Sequence, residues 1–175
     1  MSSIDTPMDT RIDTVTRRSI VRASADSVWK RVTDPAGIND ELFPILRMTV
    51  PASIRGKVIE EIPLGVPVCR SWFLLFGVLP IDYDDITIAR CEPGRQFREE
   101  STMFSMRSWT HERVLRDVPG GCEVTDTLTY QLRFPLRFKR WLIRGVLGYL
   151  FAHRHRRLAE WCERQPQQPQ AVRER

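Results

Sequence analysis

Between Ile45 and Phe134, short runs of β-branched and aromatic residues are broken at Pro51, Gly56, Pro63-Leu64-Gly65, Gly77, Pro80, Pro93-Gly94 and Pro119-Gly120-Gly121. Such alternation between turn residues predicts an antiparallel meander. Strands are expected near 46–50 with 54–62, then 68–76, 82–91, 95–105, 106–117 and 122–134. Val15 to Val21 adds an edge strand, so the sheet should hold about seven strands.

Helical periodicity frames this meander. Ser24 offers a side-chain oxygen to cap a helix that carries Val28, Trp29 and Val32 on one face, and Asp34-Pro35 stops it. A second short helix is expected over 36–43, ended by Pro44. Pro135 then opens a long helix over about 136–164, with apolar residues on a 3.6 period from Phe138 to Trp161. Its apolar stretch, Trp141 to Ala152, is interrupted by Arg144 and is too short for the roughly 20 residues that a bilayer crossing needs.

The last strand has the clearest two-faced pattern. Val124, Leu128, Tyr130, Leu132 and Phe134 share one face, and Thr125, Thr127, Thr129, Gln131 and Arg133 the other. Asp126 falls on the apolar face, where an isolated carboxylate is strongly disfavoured. A hairpin with an even loop centred on Pro119-Gly120 sets Arg113 opposite Asp126, His111 opposite Leu128 and Trp109 opposite Tyr130. The guanidinium of Arg113 then supplies the partner that Asp126 requires.

Length and composition fit one domain, expected over 14–164, between disordered tails at 1–13 and 165–175 that have too few apolar side chains to order them. The net charge of +5 is modest but uneven, because no Asp or Glu occurs between Asp126 and Glu160 while Arg and Lys recur there. That basic helix allows weak contact with a membrane surface, with Phe138 and Trp141 as anchors. It lacks the flat aromatic platform that nucleic-acid binding uses, so no nucleic-acid partner is expected. Cys69, Cys91, Cys122 and Cys162 form no C-x-x-C pair and follow no signal peptide, which points to reduced thiols and a cytoplasmic protein.

Strand, two short helices, six strands and one long helix is the order of a helix-grip α+β fold, in which a curved antiparallel sheet wraps a C-terminal helix and leaves space between them. The chain resembles the START-related (SRPBCC) superfamily over roughly residues 14–162. The carrying text is "VRASADSVWKRVTDP" at the first strand and helix, with "FLLFGVLP", "WTHERVL", "VTDTLTYQLRFPL" and "LFAHRHRRL" resembling polyketide cyclase/dehydrase-like ligand-binding proteins. The resemblance implies an internal cavity for a hydrophobic small molecule that is lipid-, sterol- or polyketide-like, but no particular reaction.

The residues expected to line that cavity are Trp72, Phe97, Trp109, Tyr130, Leu132, Trp141 and Tyr149, with Leu74 and Phe76 beside them. His111, Arg113 and Asp126 are expected at its polar end, where they would orient a ligand carbonyl or hydroxyl. The alternative is a cofactor-independent cyclase, dehydrase or aromatase in which His111, Tyr130 and Asp126 move protons. No metal is expected, since His153 and His155, two residues apart on a helix, point about 200° from one another. No cofactor is expected either, because the chain has neither a glycine-rich phosphate loop nor a G-x-S-x-G elbow. Asp82, Asp84, Asp85, Glu99 and Glu100 read as solvated charges, since strand neighbours point to opposite faces. Nothing in the sequence fixes an oligomeric state.

Overall fold

The structure is a computed structural model and describes residues 11–165. The expected tails lie outside this range except at their inner ends, where Asp13 already begins the first strand. The chain runs β1 (Asp13–Val21), α1 (Ala25–Thr33), α2 (Pro35–Leu42), β2 (Leu46–Met48), β3 (Pro67–Leu75), β4 (Leu79–Glu92), β5 (Gln96–Met103), β6 (Met106–Val118), β7 (Gly121–Leu132) and α3 (Arg140–Arg164). All seven strands form one curled antiparallel sheet in the order β1-β7-β6-β5-β4-β3-β2. The helix-grip α+β fold expected from the order of elements is the fold observed.

Local signals set most of the boundaries. Ser24 Oγ accepts from Ser27 N at 3.3 Å to cap α1, and Asp34 accepts from Gly37 N at 3.2 Å to cap α2. The β6–β7 hairpin turns at Pro119-Gly120, since Val118 pairs with Gly121. Proline presets the first turn position, and Gly120 supplies the positive φ of 87° that the second demands. A turn of two residues pins the register, which is the one the hairpin predicted: Arg113 opposite Asp126, His111 opposite Leu128, Trp109 opposite Tyr130.

One expected strand is absent. Residues 54–62 form turns and a single 3-10 turn, Ile59–Glu61, instead of pairing with β2. The β-branched residues that suggested a strand there are used differently: Ile54, Ile59 and Ile62 fold back over the sheet as part of the roof of a cavity.

Two apolar clusters fill the space beneath the helices. Val28, Trp29 and Val32 of α1 meet Leu115, Cys122, Val124, Leu158 and Cys162 in the first. Trp109, Leu128 and Tyr130 meet Leu147 and Phe151 of α3 in the second. Each fully buried Val, Leu or Phe contributes roughly 1.5–3 kcal/mol, so these clusters hold α1 and α3 on the sheet. Burial pushes the thiols of Cys122 and Cys162 up to about 11 and about 12, as expected of small core residues.

Candidate functional site

Strand parity places a row of polar side chains across the concave face. Ser71 on β3 faces Asp84 on β4, Glu99 on β5 faces His111 on β6, and Arg113 on β6 faces Asp126 on β7. The row divides into two parts with different chemistry.

Under α3, between the two apolar clusters, the charges are balanced. Arg113 is fully buried, and its Nε and Nη2 donate to Asp126 Oδ1 and Oδ2, both at 2.7 Å. Its Nη1 and Nη2 also donate to the buried Glu41 of α2 at 3.1–3.2 Å, and Arg154 Nε of α3 donates to Glu41 at 3.0 Å. His111 Nε2 and His155 Nε2 lie 2.9 and 2.8 Å from the Asp126 oxygens, and Ser19 Oγ lies 2.6 Å from His155 Nδ1. Burial alone would raise the Asp126 carboxyl, but the charge and hydrogen bonds of Arg113, together with the hydrogen bonds of the two histidines, hold it well below the usual carboxylate range. Two carboxylates facing two guanidiniums leave no net charge to attract a ligand.

On β3–β5 the row is unbalanced. Asp84 is buried with Oδ1 lacking a hydrogen-bond partner. The longer Glu99 side chain accepts from Ser101 Oγ at 3.0 Å and shares a hydrogen bond with Asp84. Burial, then the charge of Glu99 and that shared hydrogen bond, raise the Asp84 carboxyl well above the usual range. The neighbours that act on it most strongly are Glu99, Ser101 and Asp82, and none of these is cationic.

Glu99 opens into a cavity of about 110 Å³. Its floor is Cys69, Ile86, Ile88 and Phe97 of the sheet, its walls include Val32 and Ile38 of the short helices, and its roof includes Ile54, Ile59 and Ile62. Lys57 stands at the exposed rim. Thr33, Asn39 and Thr49 also line it, and a mostly apolar pocket with a few polar groups is the usual form of a small-molecule site.

The structure distributes the ten residues expected from sequence among several places. Phe97 lines the cavity. Trp109, Tyr130 and Leu132 pack in or against the cluster under α3, with the Tyr130 hydroxyl buried and unpartnered. His111, Arg113 and Asp126 meet in the balanced network rather than at the cavity. Trp72 lies on the convex face against Tyr83, while Trp141 and Tyr149 occupy the face of α3 opposite Leu147 and Phe151. Asp84 and Glu99 turn inward, contrary to the expectation of solvated charges, because they share parity with Ile86, Ile88 and Phe97. Asp85 and Glu100 point outward as expected, each with an arginine, Arg70 and Arg98. The sequence reading missed Glu41, Arg154, His155 and Ser19 as partners of the Arg113–Asp126 pair; the one local signal was a glutamate beside Leu42 in a helix with a buried face.

Residues 19–162 match the protein family described as "Domain of unknown function (DUF8410)". The chain belongs to that family. No curated protein matches it. Among solved structures, protein CV1439 from Chromobacterium violaceum aligns with a TM-score of 0.65 at 14% identity, covering 87% of this chain and 99% of that one. A START superfamily protein from Mycobacterium smegmatis aligns at 0.62 and 12% identity, covering 86% and 97%. The di-domain ARO/CYC StfQ from the steffimycin biosynthetic pathway aligns at 0.58 and 12% identity, covering 87% of this chain and 51% of that one. At such identities the likeness carries the START-like fold and leaves the site to be argued from its own residues.

Proposed function

We propose that the protein binds a small apolar molecule in the cavity beneath α1 and α2, and that the molecule carries a protonated amine which meets Glu99, with Asp84 buried behind it. The observation that carries this reading is the buried Asp84 with an unpartnered oxygen beside Glu99, with no cation among the groups that act on it most strongly. An unbalanced acid in an apolar wall is costly, and a ligand cation offsets that cost. The cavity volume limits the apolar part to a short chain or a single ring. The buried or half-buried thiols fit a cytoplasmic setting.

Calorimetry with matched apolar amines, alcohols and carboxylates tests it. The amine is expected to bind at least about tenfold more tightly than the alcohol, a difference of about 1.4 kcal/mol, and to lose that margin in Glu99→Gln. Tighter binding of the carboxylate, dependent on Lys57, would overturn the assignment.

A second reading has one observation in its favour. A carboxyl held protonated in apolar surroundings is suited to donate a proton to a ligand carbonyl, as a cyclase or dehydrase acting on a polyketide-like chain would require. In that case the proton of the Asp84–Glu99 pair passes to the ligand through Glu99, which lines the cavity, and not from Asp126, which Arg113 holds ionised. Turnover of a model polyketide thioester that Asp84→Asn abolishes would favour this reading.

A further inference from the structure

The 3-10 turn Leu136–Lys139 and the N-terminal half of α3 that follows it are apolar on both sides. Leu147 and Phe151 face the core, while Phe138, Trp141, Val146 and Tyr149 face outward with 67%, 75%, 53% and 63% of their surfaces exposed. A surface helix normally turns charge outward, so an apolar outer stripe of this length needs a covering partner. The stripe continues beyond the helix. Phe134 packs edge-on against Phe138 with ring centroids 5.7 Å apart. Phe104, in the turn between β5 and β6, lies at the same end of the sheet, since Arg133 N donates to the neighbouring Ser105 O at 3.0 Å.

The charge on this segment of chain has one sign, while the nearby acids are already engaged, Asp13 by Arg140 and Asp82 by Ser105 and the Phe104 backbone. Arg137 lies over the rings of Phe134 and Phe138 at 5.3 and 5.1 Å, and Lys139 and Arg144 are exposed on the same helical segment. No acid occurs from residue 127 to residue 159 to offset them. Aromatic rings among cations make up the composition of an interfacial anchor, in which rings enter the headgroup region and cations meet anionic lipid. No helix among the described residues is long and apolar enough to cross a membrane, so contact in the plane of the interface is the geometry left to α3.

We infer that the end of the molecule formed by the first half of α3, the β7–α3 connection and the β5–β6 turn docks on an anionic lipid bilayer. Phe138 and Trp141 insert, and Arg137, Lys139 and Arg144 contact the headgroups. This inference is independent of the cavity ligand, because none of these residues lines the cavity.

Co-sedimentation of the full chain with phosphatidylglycerol-containing vesicles and with pure phosphatidylcholine vesicles tests it. Binding is expected to the anionic vesicles, to fall with salt, and to drop about fivefold for each of Lys139→Ala and Arg144→Ala. Brominated lipid should quench the tryptophan fluorescence, and Trp141→Phe should remove that quenching while leaving the far-UV circular dichroism unchanged. Equal binding to both vesicles, or quenching that persists in Trp141→Phe, would overturn the inference. So would a stable dimer in sedimentation velocity that Trp141→Asp dissolves, because the stripe would then be covered by a second copy.

Discussion

Asp126 and Asp84 stand on the same concave face, on β7 and β4, and both are almost wholly buried. Their carboxyls are nevertheless driven in opposite directions, Asp126 well below the ordinary range and Asp84 well above it. Burial acts alike on both, so the difference lies in the partners. Asp126 has a bidentate guanidinium and two imidazoles, whereas Asp84 has a second acid. A buried acid with its cation supplied from within belongs to the fold. One whose cation is not supplied from within invites a ligand.

The largest break of this contrast is Asp126→Ala. It leaves Arg113 buried against Glu41 alone, with Arg154 also on Glu41, so one positive charge is stranded. The expected cost is about 3–5 kcal/mol, read from urea denaturation. A cost below about 1 kcal/mol would mean that the network is no better than a surface pair. Asp84→Asn should go the other way, since it removes an acid that the fold disfavours in its charged form and keeps a side chain of the same shape.

Acid and alkali should separate the two residues next. The folded value of Asp126 is depressed, so its contribution is present above about 3.8 and is lost as pH falls below that through the folded value. The folded value of Asp84 is raised, so its contribution is present below about 3.8 and is lost as pH rises through the folded value. Thermal denaturation across pH should therefore show Asp126→Asn flattening the acid limb and Asp84→Asn flattening the decline toward neutral pH. If Asp84→Asn leaves the slope above pH 4 unchanged, Asp84 does not carry the shared proton.

The two sites also differ in how far they could be read from sequence. The Arg113–Asp126 pair was legible because a turn of two residues fixes the register of everything along both strands, and the alternation of β7 shows which face is buried. Its other partners were not legible. Glu41 lies 72 residues from Arg113 and Arg154 lies 113 from Glu41, and no local rule ties the rotation of α2 or α3 to the sheet. Asp84 and Glu99 failed for another reason. The alternation was read, but the acids were assigned to solvent by residue type, although Asp84 shares parity with Ile86 and Ile88. A buried acid without a cation runs against the preference on which such readings rest, and functional sites are where those preferences are violated. The missing strand at 54–62 follows the same pattern, since a stretch of β-branched residues was used to cover the cavity rather than to extend the sheet.

The smallest test concerns the outermost member of the balanced network. Asp126 accepts from His155 Nε2 because it is held ionised, so that nitrogen must carry a proton. In neutral His155 the proton is then absent from Nδ1, which accepts from the Ser19 hydroxyl at 2.6 Å. Ser19 thereby selects the tautomer that serves Asp126, across from α3 and at the edge strand of the sheet. Ser19→Ala should cost about 0.5–1.5 kcal/mol, the range for one net hydrogen bond, because the imidazole nitrogen is left buried and unpaired. The tautomer is the more direct readout: 15N chemical shifts of the His155 ring should show Nε2–H in the native protein. Native shifts showing a proton on Nδ1 and none on Nε2 would mean that His155 does not donate to Asp126, whose partners would then be Arg113 and His111 alone.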